Sequence, residues 1–206
     1  MPAPDQKIGT ASGKVVPDTT FRDVFDFWFG PPELRGKSRP EWFRKDEAFD
    51  AEIRRRFLAL HACAALGERE GWRVEPHPML ALVIVLDQFS RNLYRGDARA
   101  FAQDAQALAC AREALARGDE AGLLPVERQF LYMPFEHSEH LADQDRAVDL
   151  MRALDAFEAT HGLVQWAERH RAIIQRFGRF PHRNAVLGRV STPEEIEFLK
   201  EPGSGF

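Results

Sequence analysis

Apolar side chains recur along this chain at steps of three and four residues, and no segment alternates at the period of two that a half-buried strand requires. The pattern predicts helices throughout. Thr20 stands as a capping residue before a first apolar face of Phe21, Val24, Phe25 and Trp28, which Gly30-Pro31-Pro32 stops. From about Asp46 a second helix carries Phe49, Ile53, Phe57, Leu60 and Ala64 on one side, with Gly67 and Gly71 at its end. Beyond Pro76-His77-Pro78, the run from Met79 to Leu93 is apolar almost all round until Asp87, as expected of a central helix surrounded by others. An alanine-rich helix is expected over Ala98 to Arg117, closed by Gly118. Another is expected over Val126 to Leu141, started by Pro125 and kinked or split by Pro134. Leu150, Met151, Leu154 and Phe157 mark the next, ending at His161-Gly162. Leu163, Trp166, Ala167, His170, Ile174 and Phe177 then trace a stripe up to Gly178. At Thr192-Pro193-Glu194-Glu195 a capping threonine, a first-position proline and a third-position glutamate announce a last short helix.

The sum is an all-α chain of about seven or eight helices, joined by short turns into antiparallel hairpins, with no fixed-period repeat. Residues 1–17, with their prolines and glycines and no periodicity, are expected to form a mobile arm ahead of a single helical domain over 18–206. At 206 residues, 44% of them hydrophobic and 29% charged, the chain is long enough to bury roughly 70% of its unfolded surface in one core. Its 28 basic and 32 acidic residues give a net charge of −4, which excludes nucleic acid as a partner held by bulk attraction. The longest apolar run, Met79 to Leu86, is too short to cross a bilayer, and the start of the chain lacks a charged segment followed by a hydrophobic one. Cys63 and Cys110 fall inside the expected helices without metal-ligand spacing, which fits a reducing compartment. A cytoplasmic protein is expected, with no membrane partner and no cofactor.

Chemistry has to come from polar residues that interrupt the apolar stripes. On the central helix Asp87, Arg91 and Tyr94 continue the face of Leu80, Val83 and Ile84, so the inward stripe turns polar at its C-terminal end. Either charge buried alone would cost several kcal/mol, so this i,i+4 pair fixes neighbouring helices or lines a cleft. Farther along, His137 shares a stripe with Phe130, Leu131, Pro134 and Leu141, while Glu136 and His140 lie four apart beside it. Glu136 and His140 offer two metal ligands but no third, and match no zinc motif, so a histidine satisfied in the core is the simpler reading. Pro134 frees a carbonyl that some donor must satisfy. His170, between Trp166, Ala167, Ile173 and Ile174, is either another core histidine or part of a site. Trp42, Phe43 and Trp72 lie near turns, as core plugs or as an association surface.

The densest chemistry lies in Arg176-Phe-Gly-Arg-Phe-Pro-His-Arg-Asn184. From Arg169 to Arg189 six arginines meet no acidic residue. Such one-signed density draws counter-charge from elsewhere in the fold or from a bound anion. Asp87 and Glu136 are the candidate internal partners, and the segment is then a clamp; otherwise it is a ligand site or a docking surface.

Four long motifs carry a resemblance. Asp87-Gln-Phe-Ser-Arg-Asn92 with Tyr94-Arg-Gly96, Phe101 with Asp104, Phe130-Leu-Tyr-Met-Pro-Phe-Glu-His-Ser-Glu139, and Arg179-Phe-Pro-His-Arg-Asn184 with Leu187-Gly-Arg189 resemble the domain-of-unknown-function family numbered 924. Val24-Phe-Asp-Phe-Trp-Phe-Gly30 and Ser191-Thr-Pro-Glu-Glu195 fit the same pattern. The resemblance implies an all-helical fold similar to the tetratricopeptide-like superfamily without regular repeats, and it implies no activity.

Two functional readings remain open. In one, the polar helix ends converge with the arginine-rich segment on a pocket for a small carboxylate or phosphate. Arg91, Arg179 and Arg183 grip the anion, Asn184 orients it and Asp87 aligns an arginine. His137, His170 or His182 can exchange protons there, which would make the site an enzyme's. Asn92, Arg95, Glu136 and Arg176 complete the candidate set. In the other, helical hairpins present a groove to a peptide or protein partner, and the arginine-rich segment is a structural clamp.

Overall fold

A computed structural model of the protein describes residues 18–205; the arm expected over residues 1–17 lies outside them. Eight α-helices and no strand occur among the described residues: α1 (Phe21–Phe29), α2 (Glu47–Ala65), α3 (Pro76–Leu93), α4 (Asp104–Arg117), α5 (Pro125–Glu136), α6 (Leu141–Leu154), α7 (Leu163–Phe177) and α8 (Pro193–Phe198). α3 is the hub. Pro76 occupies its first turn, where the missing N–H costs nothing, and from Pro78 to Ser90 every residue is buried, because α1, α2, α4 and α5 pack around it. Consecutive helices pair as hairpins, α2 with α3, α3 with α4, α5 with α6 and α6 with α7. One apolar cluster joins α1 to α6 and reaches Ala167 of α7, and a smaller one of Ile173, Ile174, Phe180 and Phe198 seats the chain end on α7.

Local chemistry explains the helix limits. Reciprocal capping boxes start α1 and α8, through Thr20 with Asp23 and Thr192 with Glu195. Gly178, at φ 69°, ends α7 in a left-handed turn that reverses the chain into the 179–184 segment. Trp42 is a core plug whose indole N–H donates to the Trp28 carbonyl at 2.8 Å, while Phe43 stays 57% exposed. Trp72 is half-buried against Phe21.

Three helices differ from expectation. The one expected over 98–117 divides: Asp97 accepts the Arg99 N–H and caps a short 3-10 turn, Ala98–Phe101, and α4 begins only at Asp104. The break swings Phe101 aside and leaves Asp104 at a helix start, where a carboxylate is favoured. The helix expected to reach Leu141 ends at Glu136, so Glu136 and His140 share no helical strip and His137 is a cap residue. Its stop is enforced from α6. Gln144, fully buried, donates from Nε2 to the carbonyls of Glu136 and Ser138 at 2.6 Å each. The helix expected to run to His161 likewise ends at Leu154, whose carbonyl accepts the Thr160 hydroxyl at 2.7 Å. Removing the Gln144 donors strands two buried carbonyls, so Gln144→Ala lowers the free energy of unfolding by about 2–3 kcal/mol; urea denaturation of the variant reads this directly.

Candidate functional site

Three helices each turn a polar stripe to one place. α3 contributes Gln88, Arg91 and Asn92, with Arg95 from the turn that follows it, α5 contributes Gln129, Met133 and Glu136, and α7 contributes Leu163, Trp166, Arg169 and His170. These spacings of three, four and seven keep each set on one helical face. Together with Trp42, Phe43, Phe101, Met151, His182 and Arg183 they enclose a cavity of about 830 Å³.

Behind its wall Asp87, with no exposed surface, organises the polar end. Its Oδ1 accepts from His137 Nδ1 at 2.7 Å and lies 3.1 Å from Arg91 Nη1, while Gln88 Nε2 donates to Oδ2 at 2.5 Å. Arg91 forks onto Asp104 at 3.0 and 3.2 Å, and Arg183 Nη1 donates to the same carboxylate at 3.1 Å. Phe101 and Phe180 hold the Arg183 guanidinium 4.5 Å from each ring centroid, and its Nε, buried, has no hydrogen-bond partner among the described residues. Arg95 and Asn92 are both anchored on Asp50 of α2.

Burial and charge set the protonation states. Burial pushes the Asp87 carboxyl upward, but Arg91 and His137 hold it well below the usual carboxylate range, so it stays ionised. Glu136 has no such support: burial, reinforced by the charge of Asp87, pushes it up to about 8. Its nearest basic group is His170, 3.6 Å away, and that ring spends Nδ1 on the Trp166 carbonyl at 2.8 Å. Burial lowers all three imidazoles: His137, further lowered by Arg91, His170 to about 3, and His182, with help from Arg183, to about 4. Burial and the neighbouring Arg91 bring Arg183 down to about 10, still cationic at neutral pH. Six cationic side chains therefore line the cavity (Arg44, Lys45, Arg91, Arg95, Arg169 and Arg183) against a single carboxyl, Glu136, that is mainly protonated at pH 7.

Of the candidate residues, Arg91, Asn92, Arg95, Glu136, His137, His170, His182 and Arg183 line this cavity, and Asp87 supports it from behind. Arg176, Arg179 and Asn184 do not. Arg179 forks onto Glu195 at 2.6 and 2.8 Å, Asn184 Nδ2 donates to Ser191 Oγ and Glu195 Oε2 at 3.0 and 3.2 Å, and Arg176 pairs with Glu194 at 2.9 Å. The expected grip of Arg179 and orienting role of Asn184 are thus corrected: both are spent fastening the start of α8. The internal partners also differ from the expected Asp87 and Glu136. Asp104 takes Arg183, Glu139 takes Arg189 at 2.7 and 3.0 Å, Glu194 and Glu195 take Arg176 and Arg179, and Asp145 takes Arg171. Clamp and cavity wall alternate within one segment.

Sequence reasoning missed Gln88, Gln129, Met133 and Arg169, although Gln129, Met133 and Glu136 stand at i, i+4 and i+7, a readable stripe. Nothing local marked Arg44 and Lys45, which reach the cavity from the loop before α2. Among the described residues no three His, Cys, Asp or Glu side chains gather as a metal site, and no helix is long and apolar enough to cross a membrane.

No curated protein matches the chain. A solved structure, the protein of unknown function ATU0120 from Agrobacterium tumefaciens, is 42% identical and superposes with a TM-score of 0.77, covering 87% of this chain and 96% of that one. The model of a family described as bacterial protein of unknown function (DUF924) matches residues 24–203, nearly the whole of the described chain, including the cavity and the clamp. The chain belongs to that family.

Proposed function

We propose that the cavity binds a small anionic ligand, a carboxylate or a phosphate. The observation that carries this reading is Arg183, whose buried Nε has no hydrogen-bond partner among the described residues, in a lining of six cations, five of them held by carboxylates outside it, and one carboxyl that is mainly neutral at pH 7. Arg91 and Arg183 are the gripping residues, since Asp104 and the rings of Phe101 and Phe180 fix their forks before any ligand arrives. The buried, unpartnered Nε of Arg183 is a donor that an anion's oxygen can satisfy. Eight of the candidate polar residues, Arg91, Asn92, Arg95, Glu136, His137, His170, His182 and Arg183, line one cavity, which supports a ligand site over a peptide-binding scaffold.

In calorimetric titrations with inorganic phosphate and a panel of carboxylates, at least one anion binds the wild type. Arg183→Ala weakens it about 10- to 100-fold, the value of a lost charge-assisted hydrogen bond. Arg179→Ala, which alters only the clamp, leaves the affinity unchanged. Wild-type protein that binds none of these anions overturns the reading.

A further inference from the structure

The cavity is chemically two-sided. Resting on the anion-binding reading, we infer that its ligand is an anionic group carried on an apolar, ring-sized body, and not a free inorganic anion. One side holds Arg91, Arg183 and the ring of Phe101. The other is built from different material. Met133 of α5, Met151 of α6, and Leu163 and Trp166 of α7 supply an apolar wall.

Three observations require a body beyond the charged group. A volume of about 830 Å³ falls in the range of pockets that enclose whole organic molecules, and an inorganic phosphate leaves most of it unfilled. Thioether side chains conform to irregular apolar shapes and contact aromatic rings favourably, so Met133 and Met151 suit a ring that enters between them. Trp166 and Phe43, 50% and 57% exposed, present large rings at the cavity edge, where a ligand can cover them.

This second side carries one cation, Arg169, whose guanidinium lies 4.9 Å from the Trp166 ring centroid, and two neutral polar groups. Gln129 is 2% exposed, and its buried Nε2 has no hydrogen-bond partner among the described residues. Glu136, 4% exposed, has no paired arginine. These two neutral donors suit one acceptor atom on the body, such as a hydroxyl, carbonyl or ring nitrogen.

Isothermal titration of the full chain with matched probes tests this. Phenyl phosphate is expected to bind at least ten-fold tighter than inorganic phosphate, and phenylacetate at least ten-fold tighter than acetate or succinate. Leu163→Ser, which takes apolar surface from the wall and touches no charge, is expected to lower the affinity for phenyl phosphate more than that for inorganic phosphate. Equal affinity for the phenyl and the small anions, or tighter binding of succinate, overturns the inference and leaves anion binding standing. Absence of binding by every probe overturns both.

Discussion

Asp87→Ala is expected to lower the free energy of unfolding by about 3–5 kcal/mol, a large part of the stability of an ordinary domain. The carboxylate is fully buried, accepts from His137 and Gln88 and pairs with Arg91, so its removal strips Arg91 of one partner and leaves His137 Nδ1–H and the Gln88 amide without an acceptor. Asp104 still holds Arg91, which keeps the loss within this range. The pH dependence identifies the cause. A carboxyl held below its unfolded value contributes stability that is complete above about pH 4 and disappears as the pH falls toward its depressed folded value. The gap between wild type and variant is therefore full at pH 7 and closes progressively under acid. Urea denaturation at pH 7 and at pH 3 measures both; an equal gap at the two values would mean that lost packing, and not the charge network, carries the effect. Asp87→Asn retains one acceptor and falls between the two proteins.

The same residues show how far the sequence reaches. Apolar periodicity and capping chemistry are local, so the helices and the ends closed by Thr20, Gly178 and Thr192 were legible. Periodicity runs unbroken through Phe101 and through His137, and neither break in the helix is written there. One depends on the Asp97 side chain capping a tighter turn, the other on Gln144 reaching back from the next helix. The inward polar stripes of Asp87 with Arg91, of Glu136 with His137, and of His170 were equally visible. Their partners were not: Arg183 meets a carboxylate 79 positions away, and Arg189 one 50 positions away. A run of arginines without local acids declares a need for counter-charge and says nothing of where it comes from. Three of its arginines close on Glu139, Glu194 and Glu195, Arg171 pairs with Asp145, and Arg169 and Arg183 line the cavity.

Glu136→Gln is expected to stabilise the protein, and increasingly so as the pH rises. Its carboxyl is raised to about 8 by burial and by Asp87, against an ordinary value near 4.5. Between these values the unfolded chain releases the proton while the folded chain retains it, so wild-type stability falls through that window and levels off above pH 8. Glutamine keeps the shape without the ionisation. The variant and the wild type are thus equally stable near pH 4, and by pH 8 the variant gains on the order of 4 kcal/mol. Binding follows the same proton. The groups that share the cavity with Glu136 hold their charge between pH 6 and 9: Asp87 is ionised, Arg91 and Arg183 are cationic, and His170 and His182 are already neutral, while burial and Arg91 lower His137 below its ordinary value. Glu136 alone among them changes, gaining a negative charge that repels an anionic ligand. Affinity for phenyl phosphate is therefore flat up to about pH 7 and declines through pH 8 in the wild type, once the ionisation of the phosphate itself is subtracted with the variant as reference. In Glu136→Gln that decline is absent. Thermal unfolding and titration calorimetry at pH 4, 6, 7, 8 and 9 read the two effects on the same samples; parallel profiles for the two proteins would show that Glu136 is ionised well below neutrality and has a cationic partner in solution.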